Sequence, residues 1–208
     1  MALEQFIKEL RVKVTLTDEA LGMMPADPNI HEQYIASKSP DAATIDEEIA
    51  AVGVEEVVEK SKTIFPKLED GTPFFWDYQM RGYIKDSIGM LRRVSGTECS
   101  KIKAFKKIVD GQIHIKERKI PIHVVGEMGD CQRPLRAETA QGARVAIAHS
   151  ETVPAGSWFE CTFQIMGGAD LVKVVEECLD YGAYHGMGQW RNSGKGRLTW
   201  EVLNDDEA

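Results

Sequence analysis

The sequence predicts an α+β fold, and three observations carry that prediction. Segments that alternate apolar and polar residues with a period of two interleave with segments of three-and-four spacing, and glycine and proline punctuate the junctions. The third observation is size: 208 residues, 43% apolar and 28% charged, can bury a core without disulfides or a structural metal. The predicted order is strand, insertion, helix, hairpin, two strands, helix, glycine loop, strand, in one domain over 1–208.

Phe6 to Leu16 sets Val12, Val14 and Leu16 against Arg11, Lys13 and Thr15, the alternation of a half-buried strand. An insertion over 20–75 follows. Its first part, Gly22 to Pro40, collects Pro25, Pro28 and Pro40 and reads as a long loop; its second, Thr44 to Lys60, has an acidic first turn and apolar residues at helical spacing. Pro66 to Pro73 forms a turn before the aromatic run Phe74, Phe75, Trp76, Tyr78, of which Phe74 and Phe75 suit the core. Ile84, Ile88 and Leu91 predict a helix over Gly82 to Val94.

Two alternating β-branched runs around a charged centre make 112–125 a β-hairpin, with Lys116, Arg118 and Lys119 at its tip and His114 and His123 beside it. Gln132 to Thr139 reads as a Pro-fixed loop carrying Arg133 and Arg136. Ala143 to His149 and Trp158 to Ile165 alternate as strands around Pro154-Ala155-Gly156. Leu171, Val174, Val175, Cys178 and Leu179 then mark a helix from Asp170 to Tyr184. A glycine-rich loop over 186–197, a strand over Arg197 to Leu203 and an acidic tail at 204–208 complete the chain.

The net charge of -8 conceals an asymmetry. Residues 1 to 80 carry net -9 and residues 145 to 208 net -6, whereas residues 81 to 144 carry +7. A local basic surface engages a polyanion through its own field, because charges more than about 10 Å away are largely screened at moderate salt. An acidic balance therefore leaves nucleic-acid binding open. Cys99, Cys131, Cys161 and Cys178 make no C-x-x-C pair, which argues against a zinc ribbon or a thioredoxin-type centre and for reduced, mostly buried thiols. No long apolar run or basic leader is present, so a cytoplasmic protein without membrane association is expected.

The sharpest motif runs from His185 to Arg197 (HGMGQWRNSGKGR) and joins a helix to a strand. Its glycines permit positive φ and close backbone approach to a ligand, while Arg191, Lys195 and Arg197 supply phosphate-pairing charge. It is not a Walker A loop: five residues separate Gly188 from Gly194 where four are needed, and Gly196 follows Lys195 where Ser or Thr is required. A dinucleotide fingerprint fails because Arg191 stands at its third glycine. The bland alternative is a turn whose cations pair with nearby acids.

From Val153 to Val202, with Pro154-Ala-Gly-Ser-Trp-Phe159, an amphipathic helix and the loop ending Ser193-Gly-Lys-Gly-Arg197, the chain resembles the C-terminal half of the RAMP superfamily. Those proteins are the RNA-binding backbone and processing subunits of CRISPR effector complexes. Upstream, Trp76-Asp-Tyr-Gln-Met-Arg-Gly-Tyr-Ile-Lys85, followed by Leu91-Arg92-Arg93, is similar to the segment that starts the family's first helix. The two blocks span about a third of the chain and occur in the family's order. The resemblance implies a ferredoxin-like or RRM-like βαββαβ core with insertions, a glycine loop beside the RNA path and a β-hairpin acting as a thumb. It carries Arg81, Gly82 and Lys85 onto the helix-start motif, and Gly186, Gly188, Ser193, Gly194, Gly196 and Arg197 onto the glycine loop. The family's Pro-Gly-Ser-Ser is replaced by Asp77-Tyr78-Gln79-Met80 and its Lys-Gly by Arg81-Gly82. These departures mark a divergent member and leave open a solitary one encoded by a virus or mobile element.

The expected function is binding of single-stranded nucleic acid, RNA before DNA, with self-association or other RAMP-type subunits as partners and no cofactor or metal. Arg81, Lys85, Arg92, Lys116, Arg118, Arg133, Arg136, Arg191, Lys195 and Arg197 are the phosphate candidates, with Gly188, Ser193, Gly194 and Gly196 shaping the loop. Trp190 is either a stacking platform or a core side chain, and Arg133 and Arg136 either meet phosphates or pair with Asp130 and Glu138. The loop and the open sheet are expected to form one positive track. An endoribonuclease is the first alternative: the resemblance implies an aspartate after the first strand, where Asp27 stands, or a histidine acid/base, for which His31, His149 and His185 qualify. A structural, decoy or interaction protein that has lost nucleic-acid binding is the second.

Overall fold

The computed structural model describes residues 3–26, 62–139 and 142–203, with backbone alone over 135–139 and 142–146. The expected acidic helix at 44–60, Asp27, His31 and the tail at 204–208 lie outside the described residues.

Strand β1 (Ile7–Leu16) buries Leu10, Val12, Val14 and Leu16 and turns Arg11, Lys13 and Thr15 to the other face, as its alternation predicts. It pairs antiparallel with a strand on each side, in a four-stranded sheet that brings together distant parts of the chain. In chain order the remaining strands are β2 (Ala20–Leu21), β3 (Met24–Pro25), β4 (Thr63–Ile64), β5 (Phe74–Trp76), β6 (Ile113–Ile115), β7 (Lys119–Pro121), β8 (Gly129–Thr139), β9 (Gly142–Val153), β10 (Trp158–Met166) and β11 (Leu198–Val202). The first sheet has the order β11-β1-β10-β6, all neighbours antiparallel. A second sheet has the order β2-β9-β4-β3, with β8 paired to β9, and β5 pairs with β7.

Helices α1 (Asp77–Leu91) and α3 (Gly168–Asp180) pack on the face of the first sheet that carries Val12, Val14, Phe163 and Ile165. The buried set of α3 is the predicted one: Leu171, Val174, Val175, Cys178 and Leu179. Helix α1 starts five residues before the predicted Gly82. The Gln79 side chain accepts the Trp76 N–H at 2.8 Å, and Asp77 puts a negative charge in the first turn, so the aromatic run ends as a strand and the helix begins directly. A short helix α2 (Phe105–Gln112), between α1 and β6, escaped the sequence reading; it is only eight residues long, buries only Val109 fully and ends in Gly111-Gln112.

Two expectations are corrected. Residues 112–125 do not close into a hairpin: β6 pairs with β10 and β7 with β5. The Glu117 carboxylate accepts both the Thr162 N–H and its hydroxyl at 2.8 Å, which ties the turn to β10, and Ile113 and Ile115 lie opposite Ile165 and Phe163 whereas Ile120 lies opposite Phe75. Residues 132–139 are not a loop but part of β8, registered against β9 with Pro134 opposite Ile147. Among the described residues β8 pairs only with β9, and such an outer strand tolerates the missing proline N–H. His114 lies opposite Gln164, and His123 stacks on Trp158.

Phe65, Phe75 and Phe159 join the β5 ribbon to the first sheet through edge-to-face contacts at 5.6 and 5.3 Å. Behind them Cys99 and Cys178 bring their sulfurs to 3.8 Å. Their mutual hydrogen bond, then burial, raises the Cys178 thiol well above its ordinary pKa; burial, then Glu117, does the same for Cys161. Cys131 is the one half-exposed thiol. In native protein at mildly alkaline pH, iodoacetamide is therefore expected to label Cys131 alone, and all four cysteines in denaturant; mass spectrometry of the alkylated peptides checks this. No helix among the described residues is long and apolar enough to cross a membrane.

Candidate functional site

The glycine loop leaves α3 through the turn Tyr181–Ala183 and folds back on itself before β11. Tyr83 anchors this start from α1: its hydroxyl donates to the Cys178 carbonyl at 2.7 Å, and burial pushes its pKa up, so it stays a neutral donor. The loop's two ends are joined. Met187 N–H donates to the Gly196 carbonyl at 2.9 Å, and Gly196 N–H donates to the Glu19 carbonyl at 2.8 Å. Gly186 and Gly196 lie so close to neighbouring backbone that a Cβ on either would overlap it, which is why the sequence spends glycines here.

Between these ends the apex makes a turn over Arg191–Ser193, flanked by Trp190 at φ +55° and Gly194 at φ +84°. Asp86 of α1 binds the apex: one carboxylate oxygen meets His185 Nε2 at 2.6 Å and Arg191 Nη1 at 2.5 Å. His185 stacks on Tyr181. Lys195 pairs with Glu19. On the far side, Arg133 of β8 donates from Nη2 to Gln189 Oε1 at 3.1 Å, and its guanidinium lies 4.9 Å from the Trp190 ring centre.

Between α1 and the loop lies an open cleft of about 340 Å³, lined among others by Met23, Gln79, Gly82, Asp86, Gly188 and Arg191. Of the sequence-predicted residues, Gly82, Gly188 and Arg191 line this cleft, and Arg133 and Lys195 lie over the Trp190 ring of the same loop. Ser193 sits exposed in the apex turn, and Arg197 is exposed with no ion pair among the described residues. Lys85 of α1 pairs with Asp110, and Arg81 with Asp77 at 3.3 Å. Other candidates lie elsewhere. Arg92 is at the C-terminal end of α1 over the Phe105 ring, and Arg118 pairs with Asp77 and packs over Trp76 and Tyr78. Lys116 pairs with Glu9 on the sheet at 3.3 Å. Arg136 lies on β8 where only backbone is described.

The expected single positive track is corrected. The loop's contacts are with α1, residues 19–21 and β8. The sheet face away from the helices carries its own neutralising pairs: Arg11 with Glu160 at 3.0 Å and Lys13 with Glu201 at 3.3 Å. The register that sets Lys13 opposite both Glu160 and Glu201 enforces that neutrality. Asp86, Glu19 and Gln189 are the site residues that sequence reading missed. Asp86 shows as a carboxylate on the exposed side of a predicted helix, but nothing local indicates its partner.

Chemically, the cleft offers cations held by exchangeable partners. Exposed ion pairs are each worth about 0 to 1 kcal/mol, so trading a carboxylate for a phosphate oxygen costs little. Among the described residues no three His, Cys, Asp or Glu side chains cluster as a metal site would need.

No protein-family model matches the chain, and no curated protein does. Among solved structures it is similar to a chain in a cryo-EM structure of the Type III-B Cmr-beta bound to cognate target RNA, with 9% identity and a TM-score of 0.51, over 95% of this chain. This chain spans 59% of the length of that one. It is also similar to a chain of a Type IV-B CRISPR complex (11% identity, 97% of this chain and 92% of that one, TM-score 0.47). A third is Cmr6 from Pyrococcus furiosus (8% identity, 93% and 98%, TM-score 0.45).

Proposed function

We propose that this chain, whose fold is RAMP-like, binds single-stranded nucleic acid, RNA in particular, as one subunit among others of its kind. In this reading the four-stranded sheet with α1 and α3 on one face is a ferredoxin-like βαββαβ core; its strand order supports that, since the first and third core strands, β1 and β10, lie centrally and the fourth and second, β11 and β6, at the edges. The sugar–phosphate backbone lies in the cleft between the glycine loop and α1 and runs on toward Arg133 of β8. One observation carries the proposal: Arg191 lines the cleft while Arg133 of β8 and Lys195 lie over the Trp190 ring beside it, so cations from two separate parts of the chain meet around a loop whose glycines admit a ligand to the backbone. That the first similar structure is of a complex bound to target RNA supports the choice of ligand.

The test is filter binding of a labelled RNA strand across a salt series. Changing Arg191 and Lys195 together to Ala is expected to weaken binding about tenfold or more and to flatten the salt dependence by roughly 0.7 per lost phosphate contact. Unchanged curves would remove the loop from the interface.

A second reading draws on the ion pairs themselves. Arg191 with Asp86, Lys195 with Glu19, Lys85 with Asp110, and Arg81 and Arg118 with Asp77 match five of the candidate cations with carboxylates of the same chain, as suits an interaction protein that keeps the fold without the ligand. In that case wild-type protein binds no strand, and the natively purified particle has the absorbance ratio of protein alone.

A further inference from the structure

We propose that Arg133 is a phosphodiester-binding residue kept in reserve beneath Trp190, and that a single strand engages it by displacing the indole. The proposal rests on the reading of the cleft as a single-strand site and names the contact that would carry it.

Arg133 is nine-tenths buried, with 9% of its surface exposed. Only Nη2 has a hydrogen-bond acceptor, the Gln189 side chain; Nε and Nη1 are closed off from solvent and have none among the described residues. A buried guanidinium with unmet donors is costly, because its N–H groups have lost water without gaining an acceptor. Directly against it, Trp190 is one of two non-glycine residues with positive φ among the described residues, and the indole is 38% exposed. A left-handed backbone at a bulky residue is strained, and such strain collects where a ligand is to be admitted.

One motion relieves both costs. The loop's ends are held by the Met187–Gly196 and Gly196–Glu19 backbone hydrogen bonds, whereas its apex lies between Gly188 and Gly194, both at positive φ. Once Arg191 exchanges Asp86 for a phosphate of the strand, the apex can swing while the base stays in place. Moving Trp190 uncovers Nε and Nη1, and whichever of them shares an edge with the Nη2–H that Gln189 does not hold completes the planar fork that two oxygens of a phosphodiester fit. Inorganic phosphate has the same oxygens but nothing to displace the indole, whereas a single strand brings an unstacked base that can.

The probe is a fluorescently labelled oligouridylate of about fifteen nucleotides, followed by stopped-flow association and equilibrium titration over a salt series, for which a single-strand slope of roughly 0.7 per phosphate applies. Arg133→Gln is expected to weaken binding about tenfold and lower the slope by about that one increment. Trp190→Gly suits the left-handed backbone and lifts the cover; it is expected to speed association about threefold or more in the Arg133 protein and not at all in the Arg133→Gln background, which is the signature of coupling. If Arg133→Gln retains wild-type affinity and slope, or Trp190→Gly slows association, the inference is overturned while the strand-binding reading stands. If wild-type protein binds no oligouridylate even at low salt, both fall. Should Arg133→Gln fail to fold by circular dichroism, Arg133→Lys keeps the charge without the fork, and the association rate of Trp190→Gly decides.

Discussion

Gly196→Ala is expected to be the most damaging single-methyl change in the glycine loop. The added Cβ would overlap the Met187 carbonyl oxygen, a backbone atom that cannot turn aside, and residue 196 sits at φ +69°, where an L side chain is strained in any case. Relieving the clash means opening the Met187–Gly196 and Gly196–Glu19 hydrogen bonds that close the loop just before β11. The combined loss is about 3 kcal/mol, a drop in Tm on the order of 10 °C for a chain of this size. Gly71→Ala is the control: φ is +88° there, but nothing lies near the new methyl group, so about 1 kcal/mol is expected. Thermal unfolding of both variants checks the pair; equal losses would mean that strain alone, and not the close approach, governs residue 196.

Phe75→Ala is expected to cost about 3 to 5 kcal/mol. The ring is 1% exposed and meets Phe65 on one side and Phe159 on the other, so it is the hinge between the β5–β7 ribbon and the main sheet. Removing it leaves a cavity that the paired strands cannot collapse to fill. Phe75→Leu keeps most of the volume and is expected to cost less than half as much. Chemical denaturation gives both values; a loss below about 1 kcal/mol for the alanine variant would show that the aromatic cluster is not what joins the two parts.

Elements whose signal is local were legible. The alternation of Val12, Val14 and Leu16 could serve only a strand with one buried face, and the spacing from Leu171 to Leu179 only a helix with one, because each period is set by the geometry of its own element. The run of 112–125 shows the limit of that reasoning. Its two alternating segments were identified as strands, yet each pairs with a different distant strand, and a two-residue period carries no record of its partner. Residues 132–139 failed for a related reason: Pro134 with two arginines is turn-like in composition, and only the outer position of β8 makes it compatible with a ladder.

The candidate site divides the same way. Glycine content and basic residues between 186 and 197 were visible at once, since positive φ and cationic charge are properties of single residues. The partners were not: Asp86 stands 105 positions from Arg191, and Glu19 stands 176 from Lys195. The amino-acid order by itself thus determined which elements form and which charges each one carries. Only the tertiary structure decided which charges meet, that the loop faces α1 and β8 and not the bare sheet, and that Arg133 is buried with donors unmet. The physical reason is range: backbone periodicity acts over a few residues, whereas ion pairing and burial depend on distances in space that the chain path alone sets.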